Sequence, residues 1–176
     1  MASFVYFAYG SNLLAARLAA RCPSAVRLGP AVAGDHRVAY DVRAADGSAK
    51  LGLRPALGDV AHGLLWRIDD ADRDGLARAE GMNYREIVDF PVRLADGRRE
   101  VVVSWVPHRP PEPGRPWHWY RALALAGAHE AALPPEAVAR LADVAFARDP
   151  DPDRPSFIAA REALRLAGRL DLLDGA

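Results

Sequence analysis

The sequence predicts an α+β fold, a small barrel-like mixed β-sheet with flanking helices. Two observations lead to this class. Apolar, aromatic and β-branched runs typical of strands occupy the first part of the chain, and segments with apolar residues three or four apart occupy the last part. Because strands and helices are separated along the chain and no internal repeat occurs, a curved or closed sheet is favoured over a regular β-α-β array.

The first elements are predicted to be a strand, a glycine-containing loop and a helix. The segment from Ser3 to Ala8 is short, apolar and aromatic, which is typical of a buried strand, and the YGSN sequence after it is turn-forming. A helix is expected from Asn12 to Arg21, closed by Pro23. Its core stripe consists of Leu13, Leu14 and Leu18, with Arg17 and Arg21 on the other face.

Two bent strands are predicted next, from Ala25 to Val42 and from Val60 to Ile68, because both segments are β-branched and interrupted by glycine or proline. A loop around Pro55, Gly58 and Asp59 is expected to join them.

A short helix is predicted to end at Glu80. Asp69 or Asp70 can cap its start, acidic residues occupy its first turn, and Gly81 is a typical stop. Leu76 and Ala79 are expected to face the core.

The remaining elements are a hairpin, a stiff loop and three helices. The Asp-Gly pair between residues 84–94 and 100–106 is a strong hairpin signal, and five prolines in residues 107–116 exclude regular structure there. Helices are predicted for residues 117–131, 135–147 and 156–173. We therefore expect one domain over residues 1–176, with a helical C-terminal extension from about 135 to 176.

The composition argues against several classes of partner. Lysine plus arginine and aspartate plus glutamate cancel at 23 each, so the molecule has no overall field that would attract nucleic acid or an anionic membrane. Lys50 is the only lysine. Cys22 is the only cysteine, which excludes an internal disulfide and a cysteine cluster for zinc.

The N-terminal residues lack the features of a signal peptide, and no run of about 18 apolar residues occurs. A small-molecule partner and a cytoplasmic location are expected.

The YGSN loop has two interpretations. As a simple turn, Gly10 would supply a positive φ and Asn12 would cap the helix. As a binding loop, Gly10 would let the backbone approach a ligand closely, and the amides of Gly10, Ser11 and Asn12 would point at an anion such as a carboxylate.

Glu80 also has two interpretations. Its neighbours in sequence are apolar or small, which is typical of a desolvated catalytic carboxylate. The acidic residues at the start of the same helix lack such neighbours. An exposed carboxylate at a helix end is the alternative. The five histidines show no H-x-x-x-H or H-E-x-x-H spacing, and Ser11 is not in a G-x-S-x-G elbow, so metal hydrolysis and a serine nucleophile are not indicated. His118 and His129, on the helix after the proline-rich loop, could flank a ligand, but an exposed helix face is favoured for both.

Four segments resemble the γ-glutamyl cyclotransferase-like family in order and spacing. They are YFAYGSNL from Tyr6 to Leu13, HGLLWRID from His62 to Asp69, AEG from Ala79 to Gly81 with Tyr84 just after, and YRALALAGAHEAALP from Tyr120 to Pro134. The sequence is similar to the YGSN-bearing branch, which includes γ-glutamylcyclotransferase, γ-glutamylamine cyclotransferase, AIG2-like proteins and an antibiotic-biosynthesis deacylase. It is less similar to the glutathione-specific branch, whose loop reads YGSL.

The resemblance implies a cofactor-independent enzyme that cyclises a γ-glutamyl amide to 5-oxoproline, in γ-glutamyl peptide or glutathione metabolism or in deprotection of a biosynthetic intermediate. It implies that Glu80 is the residue that transfers the proton. The protein is expected to be a monomer or a homodimer. Trp105 stands where the mammalian enzyme has a tyrosine, which puts the leaving group in doubt. A non-catalytic ligand-binding or partner-binding domain of the same fold is the alternative. The residues implied to bind substrate are Tyr6, Phe7, Ala8, Tyr9, Gly10, Ser11, Asn12, Leu13, Tyr84, Trp105 and Tyr120.

Overall fold

The computed structural model describes residues 2–174, which form a closed five-stranded barrel with helices packed on it. The order around the barrel is β1-β3-β2-β4-β5, and β1 pairs in parallel with β5 to close it, whereas the other neighbours are antiparallel. The predicted α+β class and mixed barrel are confirmed. The strands are β1 (Ser3–Ala8), β2 (Val26–Arg43), β3 (Ala49–Asp69), β4 (Tyr84–Leu94) and β5 (Arg99–Pro107).

The prediction of a loop around Pro55, Gly58 and Asp59 is wrong, because these residues belong to the long strand β3. The proline and glycine in this segment mark a bulge within the strand. Gly34 pairs with Val60 and His36 with Pro55, so residues 56–59 bulge out opposite the single residue Asp35. The true turn lies at residues 44–48, where the Asp46 carboxylate accepts hydrogen bonds from the backbone N–H and the hydroxyl of Ser48.

The helix predicted from Asn12 to Arg21 is divided in two. A 3-10 turn covers Ser11–Leu13, Leu14 has extended backbone with ψ of 118°, and α1 covers Ala15–Ala19. The three leucines of the predicted stripe are fully buried all the same. α2 (Arg73–Glu80) ends as predicted, with Gly81 at φ 73°. Leu76 faces the core, whereas Ala79 is exposed and does not.

The C-terminal half follows the predicted order with shorter helices. The β4–β5 hairpin turns at Gly97, whose φ is 87°, and residues 108–116 have no helix or strand. The last predicted helix is broken at Gly168, where φ is 65°. Residues 175–176 of the predicted extension lie outside the described residues. No helix within residues 2–174 is long and apolar enough to cross a membrane. The helices are α3 (His118–Glu130), α4 (Pro135–Ala142), α5 (Pro155–Leu166) and α6 (Asp171–Asp174).

Helix α3 fixes the loop that follows β1. Seven consecutive residues of α3, 122–128, are buried. At Gly127 the helix backbone approaches the chain so closely that an added Cβ would lie 2.6 Å from the backbone nitrogen of Leu14 and 2.7 Å from the Leu13 Cβ. The contact holds the 3-10 turn in place between the barrel and α3.

Candidate active site

The carboxylate of Glu80 is the acceptor in a small hydrogen-bond cluster. Glu80 is the last residue of α2 and its side chain is partly buried. The Asn12 amide nitrogen donates to Glu80 Oε1 over 2.7 Å, and the Tyr6 hydroxyl donates to the same oxygen over 3.3 Å. Asn12 also donates to the Tyr6 hydroxyl oxygen over 3.1 Å. Strand β1, the turn after it and α2 therefore meet at this carboxylate.

Arg21 fixes the orientation of the Asn12 amide. Its guanidinium donates to Asn12 Oδ1 over 2.8 Å, which leaves the amide nitrogen to face Glu80. The amide is thus used in the cluster, and the interpretation of Asn12 as a helix cap is wrong, since neither the 3-10 turn nor α1 has a side-chain cap.

Burial raises the pKa of Glu80 above its ordinary value. The positive charge of Arg21, the hydrogen bond from Tyr6, the charge of Arg17 and the hydrogen bond from Asn12 act in the opposite direction without cancelling the desolvation. Burial, and then the charge of Glu80, also raises the pKa of Tyr6 well above its ordinary value. Tyr6 therefore stays a neutral hydrogen-bond donor.

Glu80 and the glycine loop open into one cavity of about 30 Å³. Gly10 has φ −125°, so the interpretation that it supplies a positive φ is wrong. A Cβ at Gly10 would meet Leu51 Cβ at 3.6 Å and the Tyr120 hydroxyl at 3.7 Å, which are ordinary van der Waals contacts. The residues that line the cavity are Tyr6, Tyr9, Gly10, Ser11, Asn12, Leu51, Glu80, Tyr84 and Tyr120.

Comparison with known proteins gives one consistent result. Curated γ-glutamylcyclotransferases of Mus musculus and Homo sapiens are each 29% identical to this chain over 147 residues, 76% of this chain and 74% of the relative. A solved structure of a γ-glutamyl cyclotransferase matches with a TM-score of 0.79 at 24% identity, over 89% of this chain and 96% of that chain. The predicted resemblance to the γ-glutamyl cyclotransferase-like family is confirmed. YkqA of Bacillus subtilis has the same fold, with a TM-score of 0.68 at 22% identity, over 84% of this chain and 57% of that one. No protein-family model matches the sequence.

Within this γ-glutamyl cyclotransferase fold, the structure brings together eight of the residues implied by the resemblance and separates four others from them. Phe7, Ala8 and Leu13 are fully buried in the core and do not line the cavity. Trp105 lies behind Tyr6, with ring centroids 5.4 Å apart, and its backbone carbonyl accepts a 2.7 Å hydrogen bond from the Tyr9 hydroxyl. The geometry gives these four residues supporting positions and does not place them on the cavity wall.

Three tyrosines form a fixed wall around the cavity. The Tyr84 hydroxyl donates to the Leu51 carbonyl over 2.8 Å, and the Tyr120 hydroxyl accepts from the Leu51 N–H over 3.2 Å. Tyr9 is tied to β5 through Trp105. Because each hydroxyl is bonded to backbone of a strand, the rings have little freedom to move, and the cavity shape is set by the barrel.

A larger cleft of about 230 Å³ adjoins the cavity and shares Ser11, Glu80, Tyr84 and Tyr120 with it. Its other wall includes Trp119, an aromatic that the sequence suggested for a leaving-group pocket, and three cations that the sequence pattern did not assign to a site, Arg17, Arg21 and Lys50. The two arginines were placed on the polar face of a helix, and that face is turned toward the cleft. The i, i+4 spacing of Arg17 and Arg21 beside a leucine stripe was the sequence signal that could have identified these arginines as cleft residues.

The histidines do not line the cavity at Glu80 or the cleft beside it, and a third cavity shares only Tyr9 with the cavity at Glu80. His129 is exposed as predicted, but His118 is only 8% exposed and its Nδ1 accepts a hydrogen bond from the Asp149 N–H, so the prediction of an exposed face is wrong for it. A cavity of about 390 Å³ between β3 and α4 includes His62 but not Glu80. Residues 2–174 contain no cluster of three or more histidine, cysteine, aspartate or glutamate side chains that could hold a metal ion.

Proposed function

We propose that this protein is a γ-glutamyl cyclotransferase that releases 5-oxoproline and a free amine or amino acid from a γ-glutamyl amide, with Glu80 as the general acid/base. One observation carries the proposal: a partly buried carboxylate with a raised pKa faces the backbone of the YGSN loop across a small cavity. The similarity to curated γ-glutamylcyclotransferases supports the same reaction.

The loop is suited to hold the glutamyl end. Ser11 and Asn12 lie at the start of a 3-10 turn, and among the described residues no backbone acceptor is found for their N–H groups. Free backbone donors beside a desolvated cavity bind a carboxylate or a developing oxyanion more strongly than water does.

For this reaction the enzyme needs to hold the substrate in a bent conformation and to transfer a proton from one nitrogen to the other. The α-nitrogen forms a bond to the γ-carbonyl carbon, and the bond between that carbon and the leaving nitrogen breaks. Because the nucleophile is intramolecular, correct positioning supplies much of the rate. Glu80 takes a proton from the α-ammonium group and returns one to the departing amine. A raised pKa brings the carboxylate closer to the pH at which both transfers occur.

Asn12 and Tyr6 hold the carboxylate of Glu80 in place through one of its two oxygens. Their hydrogen bonds end on the same atom, Oε1, so Oε2 has no partner among residues 2–174. The second oxygen is the one free to exchange a proton with substrate. Arg21, through Asn12, is a positioning residue in this scheme.

An assay for 5-oxoproline separates this proposal from a binding-only domain. Purified protein is incubated with γ-glutamyl amino acids and γ-glutamyl amines, and 5-oxoproline is measured by mass spectrometry, with the Glu80→Gln protein as the control for contaminating activity. We expect product with the native protein and a large loss with the variant. Binding of the donors without 5-oxoproline from any of them would instead establish the non-catalytic alternative.

A further inference from the structure

Arg17 is a partly buried cation whose guanidinium has a buried nitrogen without a partner. Its Nε is buried and has no hydrogen-bond partner, and no carboxylate in residues 2–174 lies within ion-pair distance of it. Burial, followed by the charge of Arg21, lowers the pKa of Arg17 to about 9, so the side chain is still charged at neutral pH. A buried polar nitrogen without a partner is costly for the folded protein, and an anionic ligand in the cleft would supply the missing partner.

Lys50 lies on the same cleft in a rigid setting. Its ammonium group donates to Asp46 over 2.9 Å and to the Ser48 hydroxyl over 2.8 Å. It lies 4.4 Å from the ring centre of Trp119 and 4.7 Å from that of Tyr120. Lys50 and Arg17 are near enough for the charge of Arg17 to contribute to lowering the pKa of Lys50. Lys50 is already paired with Asp46, and Arg21 donates to the Asn12 amide oxygen, whereas the buried Nε of Arg17 has no acceptor.

We infer that Arg17 is a specificity-determining residue that binds an anionic group, such as a carboxylate, on the leaving-group side of the substrate, with Lys50 as the opposite wall. This inference rests on the proposed function. In this role Arg17 selects γ-glutamyl donors whose leaving group is acidic over donors whose leaving group is a simple amine.

The positions of the two cavities assign Arg17 to the leaving group. The inner cavity contains the YGSN loop and does not include Arg17, whereas the outer cleft includes Arg17 and Lys50. Glu80 lines both. Because the proton donor must reach the nitrogen at which the substrate is cut, the glutamyl part lies on one side of Glu80 and the leaving group on the other. A group in the outer cleft therefore belongs to the leaving amine.

The test compares two donors that differ only in charge, γ-glutamyl-alanine and γ-glutamyl-alaninamide. For the native protein we expect kcat/KM to be about 10- to 100-fold higher with the acid, the factor that one charge-assisted hydrogen bond contributes. Arg17→Met should remove this preference by lowering kcat/KM for the acid about 10- to 100-fold more than for the amide, mainly through KM, because its effect on the Glu80 pKa is common to both donors. Arg17→Lys should restore part of the preference.

Arg78→Met is the matched control, because Arg78 is an exposed arginine on α2 that does not line the cleft and its loss changes the net charge equally. Equal kcat/KM for the two donors with the native protein, or an equal loss for both with Arg17→Met, would overturn the inference and leave cyclotransfer intact. The first comparison needs no variant and holds even where Arg17→Met does not fold. Absence of 5-oxoproline from either donor and from γ-glutamyl amines would reject the proposed function and this inference together.

Discussion

Asn12 and Glu80 are 68 residues apart in sequence, yet the amide nitrogen of Asn12 lies 2.7 Å from Glu80 Oε1. The contact joins the turn after β1 to the last residue of α2. Every feature of the proposed chemistry depends on it, because it places the carboxylate beside the loop and leaves one carboxylate oxygen for the substrate.

Glu80→Gln should abolish most of the activity. Glutamine nearly preserves the size and shape of the side chain but cannot accept a proton, and general acid–base catalysis is typically worth about 10²- to 10⁴-fold in rate. We expect kcat for 5-oxoproline formation to fall by that factor with a normal circular-dichroism spectrum. A variant that keeps more than about half of the native rate would refute the role of Glu80.

The same variant should change how stability depends on pH. The folded-state pKa of Glu80 is raised, so between the unfolded and folded pKa values the native state binds more protons than the unfolded state. Native stability therefore falls as pH rises through this window, and glutamine lacks this contribution. The Tm of Glu80→Gln minus that of the native protein should grow from pH 4 to pH 8 in calorimetric scans. A constant difference would mean that burial does not perturb Glu80.

Tyr6→Phe should move the acid limb of the pH–rate profile to higher pH. The Tyr6 hydroxyl hydrogen bond lowers the pKa of Glu80, so its removal raises that pKa further, and the base becomes ionised only at higher pH. The measurement is kcat/KM across pH 4–9. Tyr40→Phe is the control, since the Tyr40 hydroxyl lies 3.5 Å from the Leu141 carbonyl, away from Glu80. An identical profile for Tyr6→Phe and the native protein would contradict the cluster described here.

Gly10→Ala should weaken ligand binding without destabilising the protein. The added methyl meets Leu51 and Tyr120 only at van der Waals distance, and φ at Gly10 is negative, so no backbone strain arises. It would occupy space in a cavity of about 30 Å³. Calorimetric titration with 5-oxoproline should show at least a tenfold weaker Kd at unchanged Tm, a magnitude set by a clash of about 1.4 kcal/mol or more. Unchanged affinity would mean that the loop is only a turn.

Asp149→Asn should destabilise the wall that carries Trp119. Asp149 accepts hydrogen bonds from the Trp119 indole over 2.9 Å and from Arg154 over 2.6 Å. These interactions hold the pKa of Asp149 at about 2 against the effect of burial, so their contribution is present above its ordinary pKa and is lost as pH falls toward 2. We expect the free energy of unfolding in urea at pH 7 to fall by about 1 to 3 kcal/mol.

Asp151→Asn is the control for that measurement, because the Asp151 side chain is 50% exposed and lies 3.9 Å from Arg154. A comparable loss for both variants would show that Asp149 has no special structural role.

The sequence by itself determined the class of the fold and predicted the two halves of the candidate site. Alternating apolar residues around Asp96-Gly97 fixed the hairpin, Gly81 fixed the end of α2, and the YGSN and AEG segments identified the loop and Glu80 by resemblance. These features are local, because turn type, helix capping and periodicity depend on a few residues that are close in sequence. The loop at Pro55 and Gly58 was misplaced because a bulge within a paired strand has the same local composition as a turn.

Only the tertiary structure decided which side chains surround Glu80. Arg17 and Arg21 look like the solvated face of a helix until the barrel, α2 and α3 enclose that face. Phe7 and Leu13 lie within the loop segment but point into the core. The pKa of Glu80 is likewise a tertiary property, because desolvation depends on elements far apart in the chain. Periodicity assigns a residue to a face of its own element, and packing between elements determines what that face meets.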